Sequence, residues 1–190
     1  KQRKEPPIFQ AVYVNMIKIL YFDTSAIFKY FVTEKGSDLI KWIVDNHVSY
    51  SLTLHTSQIA LYEFKHILKK KEERGEISND QLKRIIPKSK QYFPNVFHVR
   101  DSKPVPGFNS LNDTNYLELC KKHDLKVGKN SWDARHLACV INYLRCFGGA
   151  SRPRIITADV NFGKIIKAEG YDVINPEKVS KDEFLSILSK

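Results

Sequence analysis

The sequence predicts an α/β protein organised on a largely parallel sheet, and three observations lead there. Short apolar runs, "IKILYF" at 17–22 and "RIIT" at 154–157, are rich in β-branched and aromatic residues and too short for a convincing helix. Longer stretches between them carry apolar residues at helical spacing, and strands that alternate with helices favour parallel pairing. An aspartate follows closely on each run, Asp23 and Asp159, where a buried strand would leave such a sheet.

The elements follow in order. After the first strand the pattern predicts a helix over 25–33 and another over 37–46, then a short strand over 50–54. Thr56 or Ser57 is placed to cap a long helix in which Ile59, Phe64, Ile67 and Leu68 recur at helical spacing, and Gly75 ends it. A further helix is expected over 79–92, a short strand over 96–99 and a helix over 113–122, with the proline-rich "FPNVFHVRDSKPVPGF" as the connecting passage. Ser131 is the expected N-cap of a helix carrying Leu137, Val140, Ile141 and Leu144, and "FGGASRPR" reads as a loop. After "RIIT" and Asp159 come a helix with Phe162, Ile165 and Ile166, a terminating Gly170 and the brief strand "YDVI". No repeat, low-complexity tract or second domain interrupts the run. Residues 1–15 are charged and proline-broken and precede the sole methionine, Met16. They read as an upstream extension or expression remnant, leaving 16–190 as a single domain.

A chain of 190 residues can enclose a proper core without metal or disulfide staples. Its 42% hydrophobic content excludes a disordered chain, and no apolar run approaches the roughly 20 residues that span a bilayer. Cys120, Cys139 and Cys146 are odd in number with no C-x-x-C pair, and no signal-peptide pattern is present, which fits a reducing cytoplasm. The net charge of +10 is clustered, with lysine concentrated in "KHILKKKEER" and "KKHDLKVGK". Such clusters either attract a polyanion by displacing its counterions or serve as solvated helix faces.

Two further acids stand where a solubilising charge is out of place. Glu63 lies four residues from both Ile59 and Ile67, aligned with an apolar stripe. Asp133 lies four residues before Leu137, in the first turn expected after Ser131. Each acid has a plain alternative: Asp23 and Asp159 as N-caps, Asp133 as a first-turn acid favoured by the helix dipole, Glu63 as the partner of a core-edge lysine. Independent caps, however, have no reason to bring four acids towards one sheet edge. Four carboxylates together would repel one another unless a cation neutralised them. Oxygen-only ligation, with no histidine or thiolate cluster, suits Mg²⁺ or Mn²⁺ and disfavours structural zinc. Lys65, Lys69 and Lys70, on successive turns of the Glu63 helix, are candidate RNA-binding residues.

The ordered set "FDTSAIFKYF", "LYEFKHIL", "SWDARHLACV" and "ITADVNF" resembles the PIN-domain nucleases, and most closely the VapC-type ribonuclease toxins of toxin–antitoxin pairs. The resemblance runs over 16–174. It matches Asp23 and Ser25 to a D-x-S after the first strand, Glu63 to the helical glutamate, Asp133 with Ala134, Leu137 and Ala138 to a D-A-x-x-L-A helix, and Thr157 with Asp159 to a T-x-D. It implies a three-layer α/β/α fold with a mostly parallel central sheet and a helical insertion. It also implies a Mg²⁺- or Mn²⁺-dependent ribonuclease with Asp23, Glu63, Asp133 and Asp159 as the catalytic metal-binding acids. Ser25, Thr157 and Asn161 would be auxiliary polar groups. RNA, a cognate antitoxin and a second copy in a homodimer would be the partners. The stretch between Glu63 and Asp133 is longer than the compact toxin pattern, and "RCFGGASRPR" is a second departure.

Competing chemistries find no support. No G-x-S-x-G elbow, G-K-[ST] or G-x-G-x-x-G after a strand occurs, and a haloacid-dehalogenase-like phosphatase would need an aspartate where Ser25 stands. His136 could face the acids, but a lone helical histidine is more often a surface or core-edge residue. The rival from another class is a non-catalytic RNA- or partner-binding domain that keeps the fold.

Overall fold

The computed structural model describes residues 18–100, 114–125, 132–145 and 153–189. In chain order the elements are β1 (Lys18–Phe22), α1 (Thr24–Phe31), α2 (Ser37–Asn46), β2 (Leu52–Ser57), α3 (Gln58–Glu73) and α4 (Asn79–Val96). They continue as β3 (His98–Arg100), α5 (Thr114–Lys122), α6 (Trp132–Arg145), β4 (Arg154–Ile156), α7 (Val160–Ala168), β5 (Val173–Ile174) and α8 (Lys181–Leu188). The five strands form one sheet in the order β3-β2-β1-β4-β5, and every adjacent pair is parallel. This is a three-layer α/β/α architecture, as the alternating pattern predicts.

The layers follow from the strand pleat, which sends successive side chains to opposite faces. On β1, Leu20 and Phe22 join Leu52, Leu54, Ile156 and Ile174 in a core covered by α1, α2, α3, α4 and α8. Ile19 and Tyr21, with Ile155, face the other way and meet Leu137, Val140 and Ile141 of α6 and Phe162 and Ile166 of α7. Burial on both faces explains why β1 reads as a continuous apolar run instead of alternating with polar residues. Against α6 packs α5, through Cys120 and Ala138.

Several boundaries differ from expectation. Strand β2 starts at Leu52, the partner of Lys18, because Tyr50 is exposed and Ser51 turns the chain with φ 52°. Helix α4 runs past Tyr92 and through Pro87 and Pro94 to Val96, since Phe93 and Phe97 are buried in the larger core and burial overrides local propensity. Helix α8 has no counterpart in the sequence-based expectation, although Ser180 and Glu183 form a capping box at its start and Phe184 is fully buried. Ser131 and most of "FGGASRPR" lie outside the described residues, as do 101–108 of the proline-rich passage and 109–113 after it.

One glycine is required by its setting. Gly36 caps α2 at φ +83°, and a Cβ there would lie 2.7 Å from the Pro176 carbonyl oxygen. Beside this close approach Lys29, almost fully buried, donates to Glu34 at 2.7 Å and to Glu177 at 2.6 Å, tying α1 to the segment that follows β5. Among the described residues no helix is long and apolar enough to cross a membrane.

Candidate metal centre

The strand order creates the site. From β1 the chain turns into helices on one face of the sheet, whereas from β4 it enters α7 on the other, so the adjacent carboxyl ends of β1 and β4 flank a crevice. Open α/β sheets bind ligands at such a reversal.

Asp23 stands at this point and is an N-cap, one of the two roles considered for it. As the N-cap of α1 it accepts from the Ser25 N–H at 3.3 Å, and its backbone N–H closes the β1–β4 ladder on the Ile156 carbonyl at 3.0 Å. It is only 6% exposed. Its Oδ2 also accepts from the Ser25 hydroxyl at 2.8 Å and the Thr157 hydroxyl at 2.9 Å. The two hydroxyls lie 3.1 Å apart, and Ser25 Oγ accepts from the Ala158 N–H at 2.9 Å. Ser25 and Thr157 thus fasten one oxygen of Asp23, leaving Oδ1 turned towards His136.

Glu63 arrives from α3, whose start Ser57 caps by accepting from the Ala60 N–H. Its Oε2 accepts from the Thr24 hydroxyl and lies 3.0 Å from His136 Nε2. A carboxylate can only accept, so Nε2 carries the proton. That N–H also lies 3.1 Å from Thr24 Oγ1. Burial alone would raise the Glu63 pKa; the His136 hydrogen bond and charge, helped by Thr24, outweigh burial and the opposing charge of Asp159, and the net shift is downward. Glu63 is therefore an anion held by two donors. His136 comes from α6, with its side chain 2% exposed and Nδ1 3.9 Å from Asp23 Oδ1.

Candidate ligand atoms of Asp23, Glu63 and His136 all lie within 4.8 Å of one another. Two nearly buried carboxylates at that spacing fit a divalent cation, and the imidazole beside them is a nitrogen donor that the expectation of an oxygen-only set did not include. Sequence reasoning missed Thr24, and it set His136 aside after noting that it could face the acids. One signal was available: His136 falls on the apolar row of α6, four residues before the buried Val140.

The remaining candidates are distributed around this cluster. Asp159 caps α7 by accepting from the Phe162 N–H at 2.8 Å, is exposed, and acts on Glu63 through charge without joining the close group. Asp133 occupies the second position of α6, one turn before His136, with its side chain outside the described residues. Asn161 is exposed in the first turn of α7. Lys65, Lys69 and Lys70 are exposed along α3; Lys70 lies seven residues beyond Glu63, about 10 Å along the helix axis. Lys69 makes a loose pair with Glu73 at 3.9 Å, and Lys65 lies over the exposed Tyr62 ring. No protein-family model and no curated protein matches the chain, so its resemblance to the PIN-domain nucleases rests on its motifs alone.

Proposed function

We propose that the protein is a divalent-metal-dependent ribonuclease that hydrolyses RNA phosphodiester bonds. The observation that carries this reading is the Asp23–Glu63–His136 cluster at the sheet's reversal point, inside a chain of net charge +10. Mg²⁺ or Mn²⁺ held there would supply a Lewis acid for the phosphate and an activated water as nucleophile. The chain's own residues do the rest. Ser25 and Thr157 orient Asp23, while Thr24 and His136 orient Glu63 and keep it ionised. Asp133 and Asp159 complete the acidic surround, directly or through water, with Asn161 as a further polar group. Lys65, Lys69 and Lys70 draw the RNA backbone along α3 without reading its sequence. An acidic pocket in a basic protein is consistent, because the surface attracts the polyanion and the cation spares it from the carboxylates.

Incubation with a mixed RNA pool tests the reading. Cleavage should require Mg²⁺ or Mn²⁺ and stop with EDTA. Cleavage indifferent to chelation would defeat it, and RNA binding without cleavage under varied metals would favour a non-catalytic RNA- or partner-binding domain. A narrower form, the homodimeric toxin of a toxin–antitoxin pair, rests on the resemblance. Its test is growth on induction: the unaltered chain should arrest a suitable host and Asp133→Asn should not, whereas equal growth would point to a processing role.

A further inference from the structure

The orientation of His136 says more about the cation than the acids do. Its Nε2–H is committed to Glu63 Oε2 at 3.0 Å, so in the neutral ring that a metal requires, the lone pair is on Nδ1. Nδ1 lies on the Asp23 side, 3.9 Å from Oδ1. That separation is too long for a hydrogen bond. It falls between the spans expected of two ligands each ~2.1 Å from one ion, ~3.0 Å at right angles and ~4.2 Å when opposed. Asp23 is turned to match: its Oδ2 takes the bonds from Ser25 and Thr157, and Oδ1 is the atom that faces the ring. A carboxylate gripping one ring nitrogen so that the other meets a metal is the usual way a ligating histidine is oriented.

We infer that His136 is itself a ligand of the cation through Nδ1, paired with Asp23 Oδ1, and that Glu63 is the carboxylate that sets its tautomer. This rests on the metal-dependent reading above and sharpens it. A nitrogen donor contributes little to Mg²⁺, which prefers oxygen, and favours transition metals. The site therefore selects Mn²⁺ over Mg²⁺.

Pulsed electron paramagnetic resonance of the full chain loaded with Mn²⁺ alone tests this. The spectrum should carry the ¹⁴N coupling of a coordinated imidazole, replaced by ¹⁵N coupling when the protein is grown with ¹⁵N-histidine. That signal should vanish in His136→Leu and in His136→Gln, the latter retaining a donor to Glu63 near the Nε2 position. Mn²⁺ affinity should fall about 10- to 100-fold in both variants, and by more than Mg²⁺ affinity does in His136→Gln. Mn²⁺ bound without nitrogen coupling in the unaltered chain would overturn the inference and leave the nuclease reading standing, and this arm does not depend on any variant folding. Wild-type Mn²⁺ affinity in His136→Gln would reduce His136 to an orienting role and likewise overturn it. Failure to bind Mn²⁺ at all would defeat both.

Discussion

Thr157 Oγ1 donates to Asp23 Oδ2 over 2.9 Å, joining two residues 134 positions apart in the chain. The same hydroxyl accepts from the Asp159 N–H at 3.1 Å, so Thr157 is a junction between β1, β4 and the start of α7. Thr157→Val keeps the shape and removes the junction. It should lower stability by about 1–3 kcal/mol, the usual cost of leaving buried polar groups unpaired, and reduce cleavage further than that loss accounts for. Thr157→Ser should restore most of both. Urea unfolding alongside cleavage rates makes the comparison, and normal cleavage by Thr157→Val would remove Thr157 from the support of Asp23.

Asp23→Asn separates the two roles of that residue. Asparagine caps a helix about as well as aspartate, so the metal-free variant should stay within about 1 kcal/mol of the wild type. Cleavage should be largely lost. Adding Mn²⁺ should raise the melting temperature of the wild type and not of the variant, since only a ligand that binds the folded state stabilises it. A destabilised variant with normal activity would leave Asp23 as a cap and nothing more.

Removing the three exposed lysines tests how RNA is held. The triple change Lys65→Gln, Lys69→Gln and Lys70→Gln should weaken RNA binding and reduce the slope of log affinity against log salt by ~2, at about 0.7 per phosphate contact on a single strand. Cut positions should not move. An unchanged slope would make these lysines a solvated helix face, and shifted cut sites would mean that they read bases.

Lys29 offers a test at alkaline pH. Burial alone would lower its pKa; the hydrogen bonds to Glu177 and Glu34 and their charges outweigh it, and the net shift is upward. A cation with a raised folded-state pKa contributes stability that is whole below the unfolded value, about 10.4, and is lost as pH climbs through the folded one. Lys29→Met should therefore be less stable than the wild type at neutral pH, and the gap should narrow above that value. A gap that stays constant to the end of the alkaline range would mean that Lys29 stabilises through packing, not through its charge.

Much of the fold could be read from the chain because both faces of the sheet are buried. That burial makes β1 and β4 continuous apolar runs, and the carboxylates just beyond them stand out. Helix α2 matches its expected limits because Ser37, Leu39, Ile40, Ile43 and Val44 repeat cleanly. The ends of β2 and α4 escaped because they are set by partners far away: by Lys18 in the sheet, and by the aromatic cluster in which Phe31, Phe64, Phe93 and Phe97 meet. The site divides in the same way. Asp23 and Glu63 announce themselves by position and Thr157 only through the T-x-D resemblance, whereas His136 gains its meaning only when α6 brings it against an α3 carboxylate, a pairing of helices that no local pattern specifies.

The central strand of this sheet, β1, precedes every other described strand in the chain. On a ribosome β1 can pair with β2 soon after both emerge, but its other edge must wait for β4. Until then Leu20, Tyr21 and Phe22 keep an open backbone edge, the kind that recruits stray strands. A nascent chain therefore carries this hazard of mispairing while residues 23–153 are made. Asp23 also lacks the Thr157 hydroxyl until β4 has been made. Under the proposed function, a chain released before β4 is made would be an inert product.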